Sequence, residues 1–260
     1  MSNQRFKVLV VGATGSIGQH VIDEGARLGY AMRALIRRPQ QAEQFDADTE
    51  TVVGDLTDAT SLFAAVAGMD AVVFTHGSNG RPPGPQAVDY GAVRNVLLAL
   101  EGRTVRIALM TTVAVTDRKG AHDWKRRGER LVRASGLPYT IVRPGWFDYN
   151  NPQQQRLIML QGDRSQTGTP RDGAVGRRQL AQVLLWSLHA PTALCKTFEL
   201  STEAGQMQVD LGSVAMQLDR DTPRALDAVH DMQNMPIETE PTYVLDDLDE
   251  ISAAFAAPRT

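Results

Sequence analysis

Seven residues near the start of the chain, Gly12-Ala13-Thr14-Gly15-Ser16-Ile17-Gly18, have the types and spacing to hold a phosphate. Glycine at every third position leaves backbone N–H groups bare. At the start of a helix those groups, reinforced by the helix dipole, attract an anion. Gly12 permits a tight turn, Gly15 lets the backbone approach a pyrophosphate, and Gly18 lets helix and strand pack closely. The spacing is G-x-x-G-x-x-G rather than G-x-G-x-x-G, and an ordinary strand-to-helix turn also uses glycine for steric reasons alone. Context favours the phosphate. An apolar run, Phe6 to Val11, precedes the turn and a helix-like run, Ile17 to Leu28, follows it.

Such a turn needs a sheet to carry it. The first two-thirds of the chain alternates strand-like and helix-like segments. Strands are expected at Lys7–Val11, Met32–Ile36, Thr51–Val53, Ala71–Phe74, Arg106–Met110 and Tyr139–Val142, with a later one at Lys196–Leu200. Helices are expected at Ile17–Leu28, Ala59–Ala67, Val88–Leu100, Trp124–Ala134 and Gln179–Leu188. The strands are near-continuous apolar runs, as a sheet covered on both faces requires. The β-α-β-α order implies parallel strands in a doubly wound α/β fold, whose ligands bind beyond the carboxyl ends of the strands.

Those ends carry the polar residues of interest: Arg37-Arg38 after the second strand, Gly54-Asp55-Leu56 after the third, and Thr75-His76-Gly77 after the fourth. Thr111-Thr112 follows the fifth strand, and Arg143-Pro144-Gly145-Trp146-Phe147 the sixth. Trp146 and Phe147 suit either the core or the walls of a flat ligand site. From Asp148 to Gly176 the chain is polar and loop-like, with a short apolar patch at Leu157–Leu160; it is expected beside the cleft.

The bulk numbers bound the rest. A chain of 260 residues with 42% hydrophobic content supports a large core. A net charge of -3 argues against nucleic-acid and membrane surfaces as partners. Cys195 is the only cysteine, so an intrachain disulfide and a cysteine zinc site are excluded; no metal site is expected. No signal-peptide pattern or membrane-length apolar run is present, and the expected compartment is the cytoplasm. We divide the chain into residues 1–218, which include the cleft loop 148–176, and an acidic C-terminal appendage, 219–260. That appendage is either solvated or packed on the body or on a second copy of the chain in a homodimer.

The glycine turn, Arg37, Gly54-Asp55-Leu56 and the stretch Ser135-Gly136-Leu137-Pro138-Tyr139-Thr140-Ile141-Val142-Arg143-Pro144-Gly145 together resemble the atypical short-chain dehydrogenase/reductase superfamily, in its NAD(P)H-binding, NmrA-like group. The likeness runs from about Lys7 to Leu200 and implies a Rossmann fold with a small substrate-side region at the C-terminus. It further implies that Gly12, Thr14, Gly15, Ser16 and Ile17 surround the pyrophosphate, and that Asp55 and Leu56 meet the adenine. Thr75, His76 and Gly77 would pass beside the nicotinamide ribose; Pro144, Gly145, Trp146 and Phe147 would flank the nicotinamide ring.

Charge then selects the cofactor. A site that reads a ribose diol ends its second strand in Asp or Glu. Here Arg37 and Arg38 stand there, and guanidinium groups bind a 2′-phosphate. The expectation is NADP(H).

The reaction is less plainly written. Short-chain dehydrogenases use Tyr-x-x-x-Lys, the tyrosine giving a proton as hydride arrives and the lysine lowering its pKa and holding the ribose. Lys125 fits the lysine, with Glu129 and Ser135-Gly136-Leu137 following in register, but the tyrosine position is Ala121. No tyrosine lies between Tyr90 and Tyr139. We therefore expect an oxidoreductase that moves hydride to or from a small organic substrate without that tyrosine, helped by Lys125, His76, His122 or Tyr149. The alternatives are a non-catalytic NADP(H)-sensing regulatory protein and an epimerase or dehydratase relative. Asp123 is expected to cap the helix that carries Lys125, and Asp89 to favour the N-terminus of the preceding helix.

Overall fold

A computed structural model describes residues 5–78 and 80–256. The chain runs β1 (Lys7–Val11), α1 (Ser16–Arg27), β2 (Ala31–Ile36), β3 (Glu50–Val53), α2 (Phe63–Val66), β4 (Ala71–Phe74), α3 (Gly91–Ala99) and β5 (Arg106–Met110). It continues with α4 (Gly120–Ala134), β6 (Tyr139–Pro144), β7 (Trp146–Phe147), β8 (Arg156–Leu160), β9 (Ala174–Val175), α5 (Arg177–Ser187), β10 (Lys196–Glu203), α6 (Leu211–Ala215) and α7 (Thr242–Ala256).

Eight strands form one sheet in the order β3-β2-β1-β4-β5-β6-β10-β8. Every neighbouring pair is parallel except β10 with β8. The order reverses between β1 and β4, and this switch point opens a crevice at the strands' carboxyl ends. Strand residues alternate between two cores. Val8 and Val10 of β1 pack with Val21 of α1 and Leu184 of α5, whereas Leu9 and Val11 pack with Val66, Val96 and Leu131 of α2, α3 and α4. Val8 to Val11 of β1 are fully buried, so the continuous apolar run reflects a strand sandwiched between helices.

Three local expectations need correction. The apolar patch at 157–160 is not loop but the antiparallel edge strand β8, whose Leu157 and Met159 alternate inward. The helix carrying Lys125 begins at Gly120, so Asp123 lies in its first turn and binds Arg118 instead of capping it. Finally, the helix after β4 starts with a π turn, Gln86–Tyr90, before becoming regular at Gly91.

The stretch from Asp219 is not solvated. Asp221, Asp231 and Glu240 are buried, and α7 inserts Val244, Leu248 and Ile251 into the core shared with α3 and α4. Arginines bring it down. Arg126 and Arg130 of α4, both essentially unexposed, share Asp227, and Arg130 also holds Glu240 at 2.7 Å. Their neighbour Arg133 meets Asp221, which also accepts from the Tyr139 hydroxyl at 2.9 Å. Buried charge is tolerable only when paired and hydrogen-bonded, as here.

Candidate functional site

A cleft of about 870 Å³ lies at the carboxyl edge of the sheet. Its first wall is the glycine turn. Gly12 has φ +89°, and a Cβ there would stand 2.6 Å from the backbone nitrogen of His76, so β1 and β4 meet too closely for any other residue. The N-terminus of α1 has no side-chain cap and no acidic residue in its first turn. Its N–H groups remain for an anion, and Gly12, Thr14, Gly15, Ser16 and Ile17 all line the cleft there. An anionic diphosphate fits this shape.

The β2 and β3 ends build the next wall. Arg37 lines the cleft; Arg38 does not. The chain is extended at Arg38 (φ −138°, ψ 138°), so successive side chains point to opposite sides, and Arg38 leads into the short helix Pro39–Gln44. Asp55 accepts from the Thr57 backbone N–H at 2.8 Å and from its hydroxyl at 2.7 Å. These bonds, with Arg37 nearby, hold its carboxyl below the usual range, and its second oxygen has no hydrogen-bond partner among the described residues. Leu56 is fixed by Asn95, whose side-chain amide donates to its carbonyl at 2.8 Å.

At the β4 end, the Thr75 hydroxyl donates to the Val11 carbonyl at 3.1 Å, and Gly77 lines the cleft beside it. The His76 ring is buried edge-on against Phe74. Burial, seconded by the positive charge of Lys125, pushes its pKa down to about 4, so it is a neutral imidazole. Its Nδ1 is buried without a partner among the described residues.

Lys125 lines the same cleft, and its ammonium donates to Asp89 Oδ1 at 2.6 Å. The other Asp89 oxygen accepts from the Ser78 hydroxyl at 2.5 Å. The π turn is what delivers Asp89: it packs the extra residue needed to turn Asp89 toward Lys125 while Tyr90 turns toward Asp247. A dipole role for Asp89 misses this partnership.

The β5 and β6 ends complete the cleft with Thr112, Val113, Pro144, Gly145, Trp146 and Phe147. His122 lines it too, with Nδ1 2.9 Å from the Ala114 carbonyl and from Asp117 Oδ1. Tyr149 is not brought in. Asp148 takes φ +61° and binds the N-terminus of α5, which throws Tyr149 outward, 63% exposed, against the edge of Trp146. Ala121, at the tyrosine's place, is exposed and does not line the cleft, and among the described residues no tyrosine does. Arg81, on the loop after β4, is a further lining cation.

Beneath the floor lies a buried ionic stack. The Thr111 hydroxyl donates to Glu129 at 2.7 Å, and Arg143 grips Glu129 at 3.0 and 2.7 Å while holding Asp231 with two bonds of 2.7 Å. Burial alone would raise the Glu129 pKa, but Arg143 and Arg133 override it and bring it to about 2. Glu199 is the opposite case. Burial dominates over an Arg143 contact of 3.8 Å, its Oε1 finds no hydrogen bond, and its pKa rises to about 8. Among the described residues no three metal-ligating side chains stand together, and no helix is long and apolar enough to cross a membrane.

Comparison with known proteins places this geometry. Residues 12–191 match a family model described as NAD(P)H-binding. Protein TIC 62 of Oryza sativa subsp. japonica, a chloroplastic protein, is 28% identical over 75% of this chain and 46% of its own length. An isoflavone reductase homologue of Zea mays is 33% identical over 56% of this chain and 50% of its own. The chain thus spans about half the length of these two relatives. A putative NAD-dependent epimerase/dehydratase from Bacillus halodurans shares the fold, with a TM-score of 0.67 at 23% identity over 82% of this chain and all of that one.

Proposed function

Since the chain belongs to the NAD(P)H-binding family, we propose that it is an NADP(H)-dependent oxidoreductase acting on a small organic substrate without a tyrosine acid. The observation that carries the reading is Lys125, which reaches the cleft of the glycine turn and is anchored by the buried carboxylate of Asp89. Arg37 at the cleft wall supports NADP(H) over NAD(H). A bound nicotinamide cofactor supplies or accepts the hydride. The chain has to supply orientation and the proton.

The four candidate donors separate by their surroundings, and His122 lines the cleft with its Nδ1 held between the Ala114 carbonyl and Asp117. Tyr149 faces solvent, and His76, with a pKa pushed down to about 4, is a neutral imidazole at neutral pH and a far weaker acid than an imidazolium. Lys125 and His122 both reach the cleft, and of the two Lys125 brings a cation that can stabilise developing negative charge on the substrate. An acceptor that spreads charge over a conjugated system asks least of a proton donor. The flat indole of Trp146 and the ring of Phe147 suit such an acceptor. The test is NADPH consumption with a panel of quinones, flavins and enones. Turnover that Lys125→Ala abolishes supports the reading.

A second reading has its own observation. The cleft is without a tyrosine, so tight NADPH binding with no turnover on any acceptor would favour a nucleotide-sensing regulatory protein. The substrate, the cytoplasmic location and a homodimer belong to the proposal, as does the division at residue 218.

A further inference from the structure

We propose that Arg177 is a further cofactor-binding residue, which brings a guanidinium onto the pyrophosphate from just outside the cleft lining, with Asp148 as its resting partner. The assignment rests on the reading of the cleft as an NAD(P)H site. The glycine turn from Gly12 to Ile17 offers backbone N–H groups and a helix dipole but no cation of its own, while a diphosphate brings two negative charges. Arg37 stands at the β2 end of the cleft, and Lys125 is committed to Asp89.

Arg177 is the first residue of α5. Its Nε donates to the Ser16 hydroxyl at 3.1 Å, and its guanidinium lies 5.3 Å from the centre of the Phe147 ring. Ser16 and Phe147 both line the cleft, so Arg177 bridges the phosphate end to the aromatic end. One terminal nitrogen pairs with the Asp148 carboxylate, and the Arg177 backbone N–H donates to the same carboxylate at 3.0 Å. The other terminal nitrogen has no partner among the described residues. The side chain is 34% exposed, neither buried for structure nor loose in solvent.

Its neighbour gives the contrast. Arg178 turns away to Glu24 of α1 at 2.7 Å. The apolar packing of α1 against α5 holds the two helices together, so Arg177 reaches Ser16 from a rigid base. A guanidinium with a spare donor beside a diphosphate cradle can form charge-assisted, two-nitrogen bonds to phosphate oxygens. A bound diphosphate then competes with Asp148 for the same group. The pyrophosphate is common to NADH and NADPH, so this contact serves both, unlike one to the 2′-phosphate.

The experiment titrates NADPH and NADH separately into the full chain and into Arg177→Gln, Asp148→Asn and Arg178→Gln, following nicotinamide fluorescence. Arg177→Gln is expected to weaken both nucleotides by about tenfold, ~1.4 kcal/mol, to the same extent. Asp148→Asn is expected to tighten both severalfold, and Arg178→Gln to leave both unchanged. Thermal melting of Arg177→Gln without nucleotide should match the unaltered chain, which separates lost contacts from lost folding. Unchanged affinity in Arg177→Gln, a loss confined to NADPH, or an Asp148→Asn loss equal to that of Arg177→Gln would each overturn the assignment while leaving the cofactor reading intact. Failure of the unaltered chain to bind either nucleotide would overturn both.

Discussion

The ammonium of Lys125 and the carboxylate of Asp89, 2.6 Å apart, tie α4 to the π turn after β4 at the edge of the cleft. Two elements therefore position one charge. Lys125→Ala should lower turnover by about a hundredfold or more, the usual scale for a positioned proton-transfer group. Asp89→Asn keeps the shape and removes the anchor, so it should lower kcat less and move the pH profile. Steady-state rates from pH 6 to 9 check this; an Asp89→Asn profile superimposable on that of the unaltered chain would make the pair merely structural.

Arg37 sets the nucleotide preference. Arg37→Asp should weaken NADPH at least about tenfold more than NADH, because a carboxylate repels a 2′-phosphate and accepts from a diol. Paired titrations decide it, and equal losses for the two nucleotides would remove the basis for preferring NADP(H).

Two buried groups give stability opposite pH dependences. His76 has a folded pKa of about 4, below its ordinary 6.5, so the unfolded chain binds the extra proton and stability falls as pH drops from 6.5 toward 4. At about 1.36 kcal/mol per unit the full effect is ~3 kcal/mol. Glu199 has a folded pKa of about 8, above its ordinary 4.5, so stability falls as pH rises from 4.5 through 8. Urea midpoints at pH 4.5, 6.5 and 8 should show His76→Asn flattening the acid limb and Glu199→Gln flattening the alkaline one.

Glu129 is the hub under the floor. Glu129→Ala would leave Arg143 and Arg133 buried with one carboxylate fewer, and removing one partner of a buried ionic cluster costs about 3–5 kcal/mol. Chemical denaturation should show that loss. A change under about 1 kcal/mol would mean that solvent reaches the cluster.

Legibility in the sequence followed the range of the forces involved. The sandwiched strands stood out because burial on both faces leaves an unbroken apolar run, as at Val8–Val11. Most of the strand-end residues did gather in one cleft, since parallel order alone aligns carboxyl ends. What stayed hidden was pairing across distance. Asp89 and Lys125 are 36 residues apart, and Arg126 and Asp227 are 101 apart, so nothing local marks either as a partner. Basic residues on α4 have the look of a solvated face, yet Arg126 and Arg130 are among its most buried side chains. Tyr149 and Arg38 fall outside the cleft lining for a local reason: one backbone turn at Asp148 and one step of extended chain.

The arginines of α4 carry a consequence for heredity. Arg126, Arg130 and Arg133 meet Asp227, Glu240 and Asp221 far along the chain, while Lys125, one position before the first of them, serves the cleft. A neutral substitution at Asp227 would take the carboxylate partner from Arg126, on the very helix that aims Lys125. The two ends of this lock can change over generations only in matched steps. Acidic residues remote from any ligand are therefore constrained too, and pairs between α4 and residues 219–241 are where correlated change among descendants of this chain should concentrate.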